Sequence, residues 1–165
     1  MIKTIVVGTD GSAHGQHAVS FTADLARQLD AEVILVHVAN PFPAPLATAA
    51  GFIPYVPQSV LDETRTATEK RVRVEFSMPL QVAGVKYQTR VIEGLAPAVL
   101  AKAATELDAQ LIVVGTRALH AVSEFFLGST SHALTHHAPV PVLVVPLTPA
   151  MDPTPQPADR VPAAV

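Results

Sequence analysis

The sequence predicts an α/β fold, an open parallel sheet of five strands with helices on both faces. Three observations carry that expectation. Five short runs, at 2–8, 32–38, 85–92, 111–115 and 140–146, are rich in Val and Ile, and four of them are apolar on nearly every residue. Continuous rather than alternating hydrophobicity marks strands buried on both faces, which happens when helices cover both sides of a parallel sheet. Between the runs, apolar residues recur at three- and four-residue steps, the period of a helix packed by one stripe. Finally, the chain has 165 residues with 49% apolar and only 15% charged side chains, a composition suited to one well-buried core.

Taken in order, residues 2–8 form the first strand, followed by a helix whose stripe is Ala18, Phe21, Leu25 and Leu29. The second strand, 32–38, leads into a long loop, 40–57, that holds Pro41, Pro43, Pro45, Pro54 and Pro57 with Gly51. A loop of that length in a compact domain is usually functional or mobile. Ser59 is placed to cap a second helix carrying Val60, Thr64, Ala67 and Val74 on one face, with Pro79 and Gly84 giving it an untidy end. The third strand, 85–92, alternates apolar and polar residues, as an edge strand wet on one face does. Pro97 then sits where a helix opens, ahead of Val99, Leu100, Ala103 and Leu107. The fourth strand is 111–115, a last helix opens at Gly128-Ser129-Thr130 and stops before Pro139, and 140–146 is the fifth strand. Residues 1–147 make up the domain. The tail 148–165, with Pro149, Pro153, Pro155, Pro157 and Pro162, is expected to be disordered.

Composition excludes several classes of function. With no cysteine, disulfides, thiolate metal sites and cysteine nucleophiles are ruled out. Eleven basic against 14 acidic residues, net −3, is the wrong balance for gripping nucleic acid through its phosphates. The mean hydropathy of +0.35 comes from runs far shorter than the ~20 apolar residues of a membrane-spanning helix, and the chain enters its first strand without a leader-like segment. No membrane association and a cytoplasmic location are therefore expected.

In an open parallel sheet, ligands bind beyond the carboxyl ends of the strands, where the strand order reverses. That selects for inspection the stretches Val7-Gly8-Thr9-Asp10-Gly11-Ser12 after the first strand, His37-Val38-Ala39 after the second, and Gly115-Thr116-Arg117-Ala118 after the fourth. The last of these runs on to Gly128-Ser129-Thr130, where hydroxyls stand beside the unpaired amides of a helix start and suit phosphate, or else simply cap the helix. Asp10 can accept from a ribose hydroxyl or hold a cation bound to phosphates, or it can close a turn with Gly11. Arg117 is a charge-assisted phosphate donor or a solvated loop side chain. Seven histidines include the pairs His14/His17 and His132/His136, but there is no His-Glu-x-x-His and no third ligand nearby, so no metal site is expected. Neither a Gly-x-Ser-x-Gly elbow nor a Walker loop is present, nor the paired acids of a phosphoacceptor domain. No catalytic residue is expected.

These stretches, together with Leu35-Val36-His37-Val38, Val91-Ile92-Glu93-Gly94-Leu95-Ala96-Pro97, residues 109–117 and Val140-Pro141-Val142-Leu143-Val144-Val145-Pro146, resemble the universal stress protein family. The family's nucleotide-binding members carry Gly-x-x-Gly, nine residues, then Gly and Ser or Thr. Here Gly115-Thr116-Arg117-Ala118, the nine residues 119–127 and Gly128-Ser129 keep that spacing, with alanine in place of the second glycine. The resemblance implies strand order 3-2-1-4-5 in the adenine nucleotide alpha hydrolase-like fold, ATP (or ADP or AMP) as ligand with Mg²⁺ as companion ion, and a homodimer formed through the last strand. It places Asp10, with Thr9, Gly11 and Ser12, beside ribose and phosphates, and Val38 against adenine through its backbone. Gly115, Thr116, Arg117 and Ala118 would line the phosphate loop, and Gly128, Ser129 and Thr130 would hold phosphate oxygens. The implied role is binding in a stress response, with at most slow ATP hydrolysis. The alternative is an interaction scaffold of the same fold that binds no nucleotide, Ala118 being the trace of a decayed cleft. Alanine at a position needing positive φ costs roughly 1–2 kcal/mol.

Overall fold

A computed structural model describes residues 1–39, 57–116 and 128–147. The tail 148–165, Arg117, Ala118 and all of the proline-rich loop but Pro57 lie outside the described residues. Strand β1 (Thr4–Thr9) is followed by helix α1 (Ala13–Leu29) and β2 (Glu32–Ala39), then by α2 (Gln58–Arg71), a π-helical turn (Val72–Phe76) and a short α3 (Met78–Val82). β3 (Tyr87–Glu93), α4 (Ala96–Glu106), β4 (Leu111–Gly115), α5 (Ser129–His137) and β5 (Val142–Val145) complete the order. The strands form one sheet, β3-β2-β1-β4-β5, in which every pairing is parallel. This is the predicted topology, and the order reverses at β1 and β4.

Alternation along the strands divides the interior into two cores. Ile5, Val7, Val33, Leu35 and Val113 face α1, the π-turn and α3, while Val6, Ile34, Val36, Ile112 and Val114 face α4 and α5. Helices thus cover both faces, which is why these strands are apolar without interruption. Each fully buried Val or Ile stabilises the fold by ~1.5–3 kcal/mol relative to exposure. At the edge, β3 alternates between half-buried and exposed residues through Arg90, as its sequence predicts.

Two helix faces differ from expectation. In α1 the buried residues are Gly15, Ala18, Val19, Thr22, Ala23 and Ala26, whereas Phe21 is 42% exposed. Leu25 and Leu29 only flank the core. Small side chains let the helix lie close on the sheet, so the stripe is set by size rather than by hydrophobicity. In α2 no residue is buried; Val60 lies open, as does Val74 of the π-turn beyond it, and Ser59 is inside the first turn of α2, the N-cap being Pro57 without a side-chain bond. The buried anchors are Val72 and Phe76, which the π-turn carries. A widened turn of this kind shifts which side chains face inward, a change invisible to a 3.6-residue period.

Candidate functional site

Gly8 is the middle of three aligned residues, Val36 on β2, Gly8 on β1 and Val114 on β4. Its missing side chain leaves a notch, and Leu100 of α4 enters it, with Cδ1 only 2.8 Å from where a Cβ would stand. Above this floor, at the carboxyl ends of the strands, lies a cavity of about 260 Å³. Its wall comprises Thr9 at the end of β1, Asp10 and Ser12 after it, His14 and Gly15 of α1, Val38 of β2, Ala96 of α4, Gly115 of β4, and Ser129 and Thr130 of α5.

The β1–α1 loop is held by its own side chains. Ser12 is the N-cap of α1, its Oγ accepting from Gly15 N at 3.2 Å, and it donates through both N (2.9 Å) and Oγ (2.5 Å) to Asp10 Oδ1. Thr9 Oγ1 accepts from Gly11 N at 3.1 Å. Asp10 therefore makes the turn that its sequence context allows, and the same bonds fix its carboxylate at the cavity wall. The Ser12→Ala variant is expected to lose about 1 kcal/mol of stability through the cap, measurable by urea unfolding; an unchanged midpoint would contradict the described capping.

Three helices open toward this edge of the sheet. α1, α4 and α5 have no acidic residue in the first turn, so the positive ends of their dipoles are not offset from within. For α5, the N-cap is Gly128 without a side-chain bond, and its carbonyl accepts from Ser131 Oγ and His132 N, each at 2.9 Å. Neither Ser129 nor Thr130 is the cap. A site with three helix N-termini, four hydroxyl side chains and one carboxylate suits an anion carrying hydroxyl groups nearby.

Of the residues that the sequence singles out, Thr9, Asp10, Ser12, Val38, Gly115, Ser129 and Thr130 come together here. Gly11 and Thr116 do not line the cavity. Gly11, at φ +79°, packs instead against the ring of Phe76 on the opposite side of the loop, and Thr116 N donates to Val145 O, joining the ends of β4 and β5. Gly128 borders the wall as the cap of α5. His14, Gly15, Gly8 and Ala96 were not predicted as part of the site. Two of them carry a legible signal: glycine inside a strand marks close approach of another group, and glycine in the first turn of a helix is unfavourable without such a reason. Among the described residues no group of three His, Asp or Glu side chains can hold a metal ion, and no helix is long and apolar enough to cross a membrane.

A sheet ordered 3-2-1-4-5 with a cavity at its reversal point defines an open, parallel α/β domain with a cleft at the carboxyl ends of its strands. The family model described as universal stress protein family matches residues 1–146, and the chain belongs to that family. A universal stress protein of Thermus aquaticus is 32% identical over 146 residues, 88% of this chain and 99% of that one. Among solved structures, a universal stress protein in complex with cAMP superposes with a TM-score of 0.65 at 24% identity, covering 87% of this chain and 96% of the other. One from Archaeoglobus fulgidus in complex with dAMP gives 0.58 at 18%, covering 88% and 98%.

Proposed function

We propose that the cavity binds an adenine nucleotide, ATP or its lower phosphates, and that the protein acts in a stress response by binding rather than turnover. One observation carries this reading: Asp10 and Ser12, Val38, Gly115, and Ser129 with Thr130 lie far apart in sequence yet share one wall. The side formed by buried Val36 and Leu100 with half-buried Val38 offers an apolar slot for a base. The start of α5, nine residues long, offers amides and hydroxyls for phosphate. Asp10 is best placed to accept from ribose hydroxyls or to bind Mg²⁺ held by phosphates, because a bare carboxylate beside phosphate would repel it. The volume lies just below the ~300–1,000 Å³ usual for small-molecule sites, and it opens to solvent, leaving phosphates an exit. Relatives of the same fold crystallised with cAMP and dAMP support the choice of adenine. Among the described residues Asp10 is the one carboxylate in the wall and is already engaged by Ser12, so hydrolysis is expected to be slow.

Nucleotide extracted from the denatured protein, or a thermal shift with millimolar ATP and Mg²⁺, tests the reading. Ligand at a hundredfold excess over Kd stabilises the folded state by about 2.7 kcal/mol. Gly128→Val is expected to abolish the shift by setting bulk at the opening of α5, and Ala118→Gly to tighten binding. No bound nucleotide and no shift would favour a scaffold with an unused cleft. A cytoplasmic homodimer through β5 completes the proposal, since a hydrophobic edge strand such as Val142-Leu143-Val144-Val145 is usually covered; light scattering reads its mass.

A further inference from the structure

We infer that His37 and Phe76, neither of them in the cavity wall, are positioning residues that set the angle at which Asp10 meets the ligand; this rests on the nucleotide-binding reading above. His37 stands beside Thr9 in the β1–β2 register, on the sheet face opposite the cavity floor, because alternate residues along β2 face opposite cores. Its Nδ1 lies 2.9 Å from Thr9 O. A carbonyl only accepts, so Nδ1 carries the hydrogen and donates it. Thr9 is the last residue of β1, and its carbonyl is where the chain turns out of the sheet toward Asp10.

Phe76 supports the next two residues. Its ring lies directly against Gly11, with Cζ 2.3 Å from where a Cβ would be. His37 and Phe76 are in ring contact themselves, centroids 5.5 Å apart and tilted by 59°. The Phe76 ring is 4% exposed, and the Arg71 guanidinium lies 5.3 Å from its centroid. Thus Thr9 is fixed by a hydrogen bond and Gly11 by a ring, which leaves Asp10 between two anchored neighbours. Ser12 then fixes the carboxylate from the far side. The π-turn acquires a role in this account, since it is the element that ends on Phe76 and points it at the loop.

The test compares two variants of the full chain, with ATP and Mg²⁺ as probe in calorimetric titration and thermal unfolding alongside. His37→Leu keeps the bulk and loses the donor. His37→Asn keeps a donor near the position of Nδ1, because an asparagine amide nitrogen is the same number of bonds from the backbone. His37→Leu is expected to weaken binding about fivefold, the worth of one hydrogen bond of ~1 kcal/mol, and His37→Asn to restore it to within about twofold of wild type. In an Asp10→Ala background, His37→Leu should change affinity no further, whereas a merely structural role would lower unfolding temperature and affinity alike in both backgrounds. If the wild type binds no ATP, the nucleotide reading falls and this inference with it. If the wild type binds, and His37→Leu binds as tightly or His37→Asn fails to rescue it, the inference alone is overturned. Should His37→Leu not fold, the Asn variant and Phe76→Leu carry the comparison: Phe76→Leu opens a gap beneath Gly11 and is expected to weaken binding, and unchanged affinity there overturns the inference.

Discussion

Gly15→Ala is expected to reduce nucleotide affinity tenfold or more while leaving a folded protein. Alanine is the better helix former by about 1 kcal/mol, so from propensity alone the change should stabilise α1. Sterics oppose it. A Cβ at position 15 would stand 2.7 Å from Thr9 Oγ1, 2.8 Å from Asp10 Oδ1 and 3.2 Å from Asp10 N. Both oxygens belong to side chains and can move, but Thr9 Oγ1 accepts from Gly11 N and Asp10 Oδ1 accepts twice from Ser12. Moving them strains or breaks bonds worth ~0.5–1.5 kcal/mol each. The gain in propensity and the loss of these bonds nearly offset, so net stability should shift by no more than ~1–2 kcal/mol. The displaced carboxylate has no such offset, because it must leave the cavity wall to make room. Titration calorimetry with ATP, paired with urea unfolding, separates the two quantities. Wild-type affinity in a folded Gly15→Ala variant would mean that Asp10 does not meet the ligand.

How far the sequence could be read depended on the physical signal behind each element. Uninterrupted Val and Ile runs reflect burial on two faces and located four strands to within two residues, and the alternating run at 85–92 located the edge strand β3 as closely. Topology alone also pointed to the strand-end loops that border the cavity, but it did not say which of their residues face it: Thr9, Asp10 and Ser12 do, whereas Gly11 and Thr116 do not. Helix faces were harder. The α1 stripe is chosen by smallness, with Ala18, Ala23 and Ala26 inside and Phe21 outside, so a search for large apolar residues selects the wrong side. The register of α2 was lost at the π-turn, where a step of period places Val72 and Phe76 inward in place of Val74. Gly11 shows a third limit. Its positive φ was implied by the Asp-Gly turn, but the reason that no side chain fits is Phe76, 65 positions further on, and no local pattern carries that contact.

Gly115→Ala is expected to produce the largest loss of stability among single methyl additions in the site, about 3 kcal/mol, at the upper end of the ~1–3 kcal/mol typical of overpacking. Its backbone is outside the positive-φ region, so the penalty is one of space. The added Cβ would lie 2.5 Å from His14 O and 2.8 Å from His14 C, atoms of the α1 backbone that cannot rotate away. Either α1 lifts or the end of β4 sinks. β4 is fixed in register with Gly8 on one side and Val145 on the other, and Thr116 N holds Val145 O at 3.1 Å. α1 is held by its buried Ala18, Val19, Ala23 and Ala26. Gly84→Ala is the informative control: Gly84 has φ +66° and nothing within 4 Å of an added Cβ, so it isolates the conformational penalty of roughly 1–2 kcal/mol. Urea unfolding of both variants ranks the two effects. A Gly115→Ala protein as stable as Gly84→Ala would show that the first turn of α1 does not rest on β4, and the convergence of helix openings at the cavity would lose its basis. If the ranking holds, the same close contact explains the shape of the cavity: only a glycine at the end of β4 lets the amide end of α1 come near enough to line it together with the start of α5.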